Sequence, residues 1–200
     1  MQPITEFAFE TAREKEWDNL VAIHRNTSFV TSWSFDRMRM GTHRLMHDRF
    51  KGSGTLVQPE SVAMTSCGNF VLIGYNTGHV DRFNIQSGFH RCTYGSIDGD
   101  SSGTAHNGAV RGILSDLLNH VVVSGGADSK LNFWKFSNGQ PIGSLKLNAP
   151  VSQLHLHREN NLLAVSLDNF HIIVVDMEVK SKVVRRFTKH QVSDEKFIFF

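Results

Sequence analysis

The sequence predicts an all-β fold made from one four-stranded antiparallel unit used four times. Three observations carry this. No long stretch places apolar residues at the i, i+3, i+4, i+7 spacing of an amphipathic helix. The chain is instead cut into short runs rich in Val, Ile, Leu and Phe, separated by Gly, Asn, Asp and Ser, which is the pattern of short strands joined by turns. The runs also recur as a hairpin with one further strand before it and one after. A period of about 40–45 residues with four strands per repeat is that of a propeller blade.

The units read as follows along the chain. The first has "ITEFAFE", then the hairpin "LVAIHRNTSFVTSWSF" (Leu20–Phe35) turning at Arg25-Asn26-Thr27, then "HRLMH". The second has "ESVAMTS", the hairpin "FVLIGYNTGHVDRFNIQSG" (Phe70–Gly88) turning at Asn76-Thr77-Gly78, and "FHRCTY". The third has "AVRGILSD", the hairpin "VVVSGGADSKLNFWKF" (Val121–Phe136), and "PIGSLKL". The fourth has "PVSQLHLH", the hairpin "LLAVSLDNFHIIVVDMEVK" (Leu162–Lys180) turning at Leu167-Asp168-Asn169, and "KVVRRFT". Trp33, Phe83, Trp134 and Val175 align, at spacings of 50, 51 and 41 residues. The blades are expected at 1–51, 52–95, 96–148 and 149–190, with 191–200 ("QVSDEKFIFF") as a truncated tail whose Phe197–Phe200 lie exposed.

Composition narrows the class. At 200 residues, 40% hydrophobic and 20% charged, the chain is long enough for a packed core and ordinary for a globular protein. No apolar run approaches the ~18–20 residues of a membrane span. "MQPITEFAFETAREKEW" lacks the basic and apolar regions of a signal peptide. Cys67 and Cys92 form neither a disulfide framework nor a metal-ligand spacing, which points to a reducing compartment. In that setting the sequon Asn26-Thr27-Ser28 reads as chance. A net charge of +2 does not by itself argue for nucleic acid.

Candidate chemistry concentrates in the third unit, where His106, Ser124, Asp128 and Trp134 stand out. Asp128 falls in the tight turn, where Asp tolerates a left-handed backbone and bonds its own main chain. Ser, His and Asp together raise a nucleophilic triad, but no G-x-S-x-G elbow is present. "HLH" sets His155 and His157 on one strand face, yet a metal needs further converging ligands, and His171 has no predictable relation to them. "GSIDGDSSGTAH" (Gly95–His106) is a polar loop without a phosphate-cradle pattern, read as a connection or docking segment. Two stretches are basic: Lys180, Lys182, Arg185, Arg186 and Lys189 in "KSKVVRRFTKH", and Arg37, Arg39, Arg44, Arg49 and Lys51 in "DRMRMGTHRLMHDRFK". Each reads as a solvated outer edge guarded by charge, or as a contact to RNA phosphate or a partner.

The third unit resembles the WD-repeat family, whose equivalent residues form a buried hydrogen-bond chain from Trp to Ser or Thr, to His, to Asp. The resemblance implies a structural role for His106, Ser124, Asp128 and Trp134. Asp128→Ala is then expected to cost about 1–3 kcal/mol by stranding the imidazole. The other units depart from the pattern, with Trp33-Ser34, Phe83-Asn84 and Val175-Asp176 at the Trp-Asp position. Over nearly the whole chain, from Ile4 to His190, the irregular segments resemble one family more closely. "EWDNLVAIHRNTSFVTSWSFDRMRMGTHRL", "PESVAMTSCGNFVLIGYNTGHVDRFNIQSG", "TAHNGAVRGILSDLLNHVVVSGGADSKLNFWKF" and "NLLAVSLDNFHIIVVDMEVKSKVVRRFTKH" carry the likeness. It is the family of U3 small nucleolar RNA-associated protein twenty-one, known in animals as WD-repeat protein thirty-six.

That resemblance implies a non-enzymatic nucleolar scaffold in the small-subunit processome, which supports pre-18S rRNA processing. It implies other processome WD-repeat proteins and the U3 ribonucleoprotein as partners, with pre-rRNA contact, and no cofactor, membrane or small-molecule substrate. It also implies two propellers in a longer chain, so four blades of a seven-bladed ring are read as an open fragment. The alternatives are a generic WD-repeat adaptor in signalling or ubiquitin-ligase substrate choice, and a propeller enzyme, for which no convergent acidic or metal-binding set is found.

Overall fold

Each predicted apolar run becomes a strand. The computed structural model describes residues 2–52, 57–95, 103–157, 159–177 and 182–188. The first sheet holds β1 (Ile4–Phe9), β2 (Leu20–His24), β3 (Val30–Ser34) and β4 (Arg39–Leu45). The second holds β5 (Pro59–Met64), β6 (Phe70–Tyr75), β7 (Val80–Asn84) and β8 (His90–Tyr94). The third holds β9 (Val110–Ser115), β10 (Val121–Gly126), β11 (Lys130–Lys135) and β12 (Pro141–Lys146). The fourth holds β13 (Val151–Leu156), β14 (Leu162–Leu167), β15 (Ile172–Asp176) and β16 (Lys182–Phe187). Each sheet is a four-stranded antiparallel meander in chain order. The architecture is an all-β propeller array of four blades.

The repeat is visible in the register. Trp33, Phe83, Trp134 and Val175 each occupy the next-to-last position of the third strand. They pair with Leu20, Val71, Val122 and Leu163 of the second strand. The first strands β1, β5, β9 and β13 stand side by side in that order along the axis, so β4, β8, β12 and β16 lie outermost. The middle strands of the second and third sheets are covered by neighbouring sheets on both faces, which is why Val121-Val122-Val123 reads as a continuous apolar run and β10 is buried throughout, whereas β14 and β15 of the fourth sheet alternate buried and half-buried residues.

Three apolar clusters fill the spaces between successive sheets. Val21, Ile23, Val71 and Ile73 join the first two sheets; Leu72, Val80, Val122 and Trp134 join the second and third; Val123, Phe133, Leu163 and Val175 join the third and fourth. Among the described residues the four sheets form a row, and β14 and β15 of the fourth sheet are buried on one face only. Phe7 and Phe9 on β1 are 60% and 59% exposed, and Val184 and Phe187 on β16 are 44% and 47% exposed. No helix among the described residues is long and apolar enough to cross a membrane.

Polar bonds between blades supplement the clusters. Trp17 Nε1 donates to Gly68 O at 2.9 Å, and Ser66 Oγ to Leu117 O at 2.6 Å, so the loops after the first strands of the first and second blades each tie to the next blade. Gly78 closes the β6–β7 turn with φ +83°, and its carbonyl accepts from the N–H groups of Ala105 and His106 at 2.9 and 3.1 Å. A Cβ at Gly78 would stand 2.1 Å from His106 O. Gly78→Ala is therefore expected to cost about 1–3 kcal/mol from backbone conformation alone, and more from the clash. Chemical unfolding of the intact protein would show this; a variant as stable as wild type would mean that the two blades do not meet at this turn.

One turn differs from expectation. In the β10–β11 connection the left-handed residue is Ser129, at φ +60°, and not Asp128. Asp128 makes the local bond expected of it, accepting from the Lys130 N–H at 3.3 Å. Ser129 takes the strained position because Asp128 must aim its carboxylate back at His106. The tail 191–200, the cations Lys180 and Lys189, and residues 96–102 of the loop before β9 lie outside the described residues.

Candidate functional site

The third blade brings all four of its singled-out residues together. Ser124 pairs with Asn132 across the hairpin and Val122 with Trp134, so side-chain alternation puts Ser124 and Trp134 on one face of the sheet. Trp134 Nε1 donates to Ser124 Oγ at 2.8 Å. Ser124 Oγ lies 2.8 Å from His106 Nε2, and His106 Nδ1 lies 2.9 Å from Asp128 Oδ1. One tautomer satisfies every atom: the Ser124 hydroxyl donates to Nε2, and Nδ1–H donates to the carboxylate. Asp128 Oδ2 also accepts from the Asn107 N–H at 3.0 Å, closing the loop onto the turn. Burial is the main cause that lowers the His106 pKa below its ordinary value, against the pull of Asp128, so the ring stays neutral. Burial alone would raise the Asp128 carboxyl, but the bonds from His106, Asn107 and Lys130 together hold it low.

The distances match those of a nucleophilic triad, but the surroundings do not. Ser124 is fully buried, and the Trp134 N–H occupies the oxygen that would attack. Trp134 and His106 are buried as well. The arrangement satisfies buried polar groups and binds a loop to a hairpin, which is what it can do chemically.

Two further polar clusters escaped the sequence reading. In the first blade, Trp33 Nε1 donates to Thr31 Oγ1 at 2.8 Å, Thr31 Oγ1 lies 2.9 Å from His24 Nε2, and His24 Nδ1 lies 2.8 Å from Gln2 O. Here the histidine comes from the end of β2 instead of a preceding loop. The available signal was Thr31 two residues before Trp33, on the same strand face.

The second cluster surrounds Asp81 on β7, whose side chain is fully buried. Arg49 Nη2 meets Asp81 Oδ2 at 2.5 Å, Thr93 Oγ1 donates to Oδ1 at 2.7 Å, and His90 Nε2 is 3.3 Å from Oδ1. Arg49 follows β4 in the short 3-10 turn Asp48–Phe50, and His47 caps that turn by accepting the Arg49 N–H at 3.1 Å. Burial alone would raise the Asp81 carboxyl; His90, Arg49 and Thr93 outweigh it and hold the group below the usual carboxylate range. Arg49, read from the sequence as part of a solvated basic edge, is thus an inward cation, because Asp81 offers a buried charge that must be paired. Of the same stretch, Arg37, Arg39 and Arg44 are exposed, and Lys51 pairs at the surface with Asp48 at 2.6 Å.

The other expected sites are dispersed. Lys182, Arg185 and Arg186 are exposed on the outermost strand β16. His155 and His157 are exposed at β13, while His171 lies 3.1 Å from Asn148 Nδ2 and 3.3 Å from Asn169 Nδ2. Cys67 and Cys92 are free thiols.

The axial strands carry one perturbed acid. Burial is the main cause that pushes Glu6 up to about 7 from 4.5, with Glu60 adding to it and the Val62 N–H opposing it. A carboxyl raised on folding stabilises the protein below its unfolded value and loses that contribution as pH rises through 7. Glu6→Gln is therefore expected to be more stable than wild type at pH 8, with the gap closing by pH 5. Urea midpoints across this range test it; a gap that does not change with pH would show that Glu6 ionises freely.

Comparison with known proteins agrees with this geometry. The model of the WDR36/Utp21 second beta-propeller domain matches residues 1–199. Human WD repeat-containing protein 36 is 38% identical over 191 residues, covering 96% of this chain and 20% of its own length. U3 small nucleolar RNA-associated protein 21 of Saccharomyces cerevisiae is 35% identical over 189 residues, covering 94% and 18%. Its homolog in Schizosaccharomyces pombe is 33% identical over 189 residues, covering 94% and 19%. The chain thus spans about a fifth of the length of these curated relatives. Among solved structures, a chain of the mitotic checkpoint complex superimposes with a TM-score of 0.71 over 94% of this chain and 54% of that one; at 14% identity this shows the fold alone. Four repeated blades, a Trp-Ser-His-Asp hydrogen-bond chain in the third, and similarity along nearly every residue lead to one conclusion: the chain belongs to the WDR36/Utp21 family, in its second β-propeller domain.

Proposed function

We propose that this chain is part of a non-enzymatic scaffold for ribosome biogenesis, a component of the small-subunit processome that supports pre-18S rRNA processing through the U3 small nucleolar ribonucleoprotein. The observation that carries the reading is similarity over 94% of the chain to two relatives named for association with U3 small nucleolar RNA. The burial of Ser124 and His106 supports the non-enzymatic part, because the chain's triad-like group holds a blade together and faces no substrate. The reading places the protein in the nucleolus, with other processome WD-repeat proteins and the U3 particle as partners. It needs no cofactor and no small-molecule substrate.

Within this role, the exposed Lys182, Arg185 and Arg186 of β16 are contacts for RNA phosphate or an acidic partner, together with Lys180 and Lys189 of the same sequence run, which lie outside the described residues. Arginine suits phosphate because its planar donors pair two oxygens at once. Precipitation of the tagged intact protein is expected to recover U3 RNA and processome proteins, with the tag concentrated in the nucleolus. Exclusion from the nucleolus with no U3 RNA recovered would overturn the reading in favour of an adaptor in another pathway.

A further inference from the structure

The connector between the first two blades brings metal-capable side chains together around a fully buried carboxylate. We propose that His47, Asp81 and His90 form a site for a divalent cation of borderline softness, of the Zn2+ class, which fastens this connector to the second blade.

One ring nitrogen from each histidine and one Asp81 oxygen lie within 4.8 Å of one another, the one such convergence among the described residues. The His90 Nε2 to Asp81 Oδ1 separation is 3.3 Å. Two donors at bond lengths of about 2.0–2.1 Å on a tetrahedral ion stand about 3.3 Å apart, so this pair needs little movement to share one. The rings of His47 and His90 meet edge to face at 4.2 Å between centroids, which brings the third donor alongside. Two imidazoles and one carboxylate form a donor set used at zinc sites that keep an open fourth position.

The surroundings also suit an ion. Arg49 holds Asp81 Oδ2 at 2.5 Å, while Oδ1, which also accepts from Thr93 Oγ1 at 2.7 Å, faces the histidines. An outer partner of that kind orients a metal-binding carboxylate. The nearby guanidinium sets the selectivity. It offsets the carboxylate charge, so the ion is held by imidazole lone pairs more than by charge. That favours Zn2+ over Mg2+ and Ca2+, which prefer oxygen ligands.

The test uses the intact protein, stripped with chelator and titrated with Zn2+, Co2+ or Mg2+. One equivalent of Zn2+ is expected to raise the unfolding midpoint, Mg2+ to leave it unchanged, and Co2+ to give the visible absorption of a tetrahedral site. His47→Gln and His90→Gln are each expected to weaken Zn2+ binding by about tenfold or more. Zn2+ shifts as large in both variants as in wild type would overturn the proposal, as an adventitious ion elsewhere. Should the variants fail to fold, the wild-type protein decides: absence of the Co2+ bands overturns the proposal and their presence supports it.

Discussion

Asp81→Ala in the intact protein is expected to lose about 3–5 kcal/mol of stability, the usual cost of removing one partner from a buried ion pair. Asp81 is fully buried, accepts from Arg49 and Thr93, and has His90 Nε2 at 3.3 Å. Its removal leaves the Arg49 guanidinium, only 16% exposed, without its counter-charge. The damage should spread beyond one residue, because Arg49 and Phe50 arrive from the first blade and Phe50 stacks 4.9 Å from Tyr75 of the second. A second substitution separates charge from shape. Asp81→Ala with Arg49→Met removes both charges and is expected to recover much of the loss, since replacing a buried pair by apolar groups is often close to neutral. Chemical unfolding of the three proteins decides. A double variant as unstable as Asp81→Ala would mean that Asp81 matters through its bonds to Thr93 and His90 and not through the ion pair.

Ser124→Ala is expected to cost about 2–6 kcal/mol, because one lost hydroxyl strands two buried groups at about 1–3 kcal/mol each. The Trp134 indole N–H and His106 Nε2 both end on Ser124 Oγ, and neither can reach water. Ser152→Ala, at an exposed position of β13, is the control and is expected to stay within about 0.5 kcal/mol of wild type. If the two substitutions had equal effects, the hydroxyl would not be the centre of the chain.

The blade was legible because its signal is periodic. Strand alternation, turn residues and the Trp33, Phe83, Trp134 and Val175 slots repeat, so an error in one unit is corrected by the next. The four residues of the third blade's hydrogen-bond chain occur together only in that unit, and they were singled out through its resemblance to the WD-repeat family. The Asp81 cluster was not. Its members come from four separate places, namely the 3-10 turn, its cap, β7 and β8, and only the closing of the first blade onto the second unites them. One local sign existed. "VDRFN" carries Asp81 and Arg82 in the third strand of its unit, where both faces of the sheet are covered, and two adjacent charges there must each find a buried partner. Arg82 finds the Phe136 carbonyl and, at 4.1 Å, the Phe136 ring across the interface in the third blade, and the ring of Phe70, at 5.1 Å, in its own blade. Arg49 was misread from its neighbours: a run of exposed arginines continues into one that turns inward, and composition does not distinguish them. Ser129 took the left-handed turn position in place of Asp128 because the carboxylate's distant partner, His106, outweighed local turn preference.

The central claim is that Ser124, His106, Asp128 and Trp134 act as one structural unit. A double-mutant cycle between Ser124→Ala and Trp134→Phe in the intact protein tests it most directly. Phe is accommodated at the aligned position of the second blade, where Phe83 is buried. With both substitutions present, no indole N–H is left to strand. The double variant is therefore expected to be more stable than the sum of the two single losses by at least about 1 kcal/mol. Losses that add to within about 0.5 kcal/mol would contradict the account, since Ser124 and Trp134 would then be independent residues that merely lie close together.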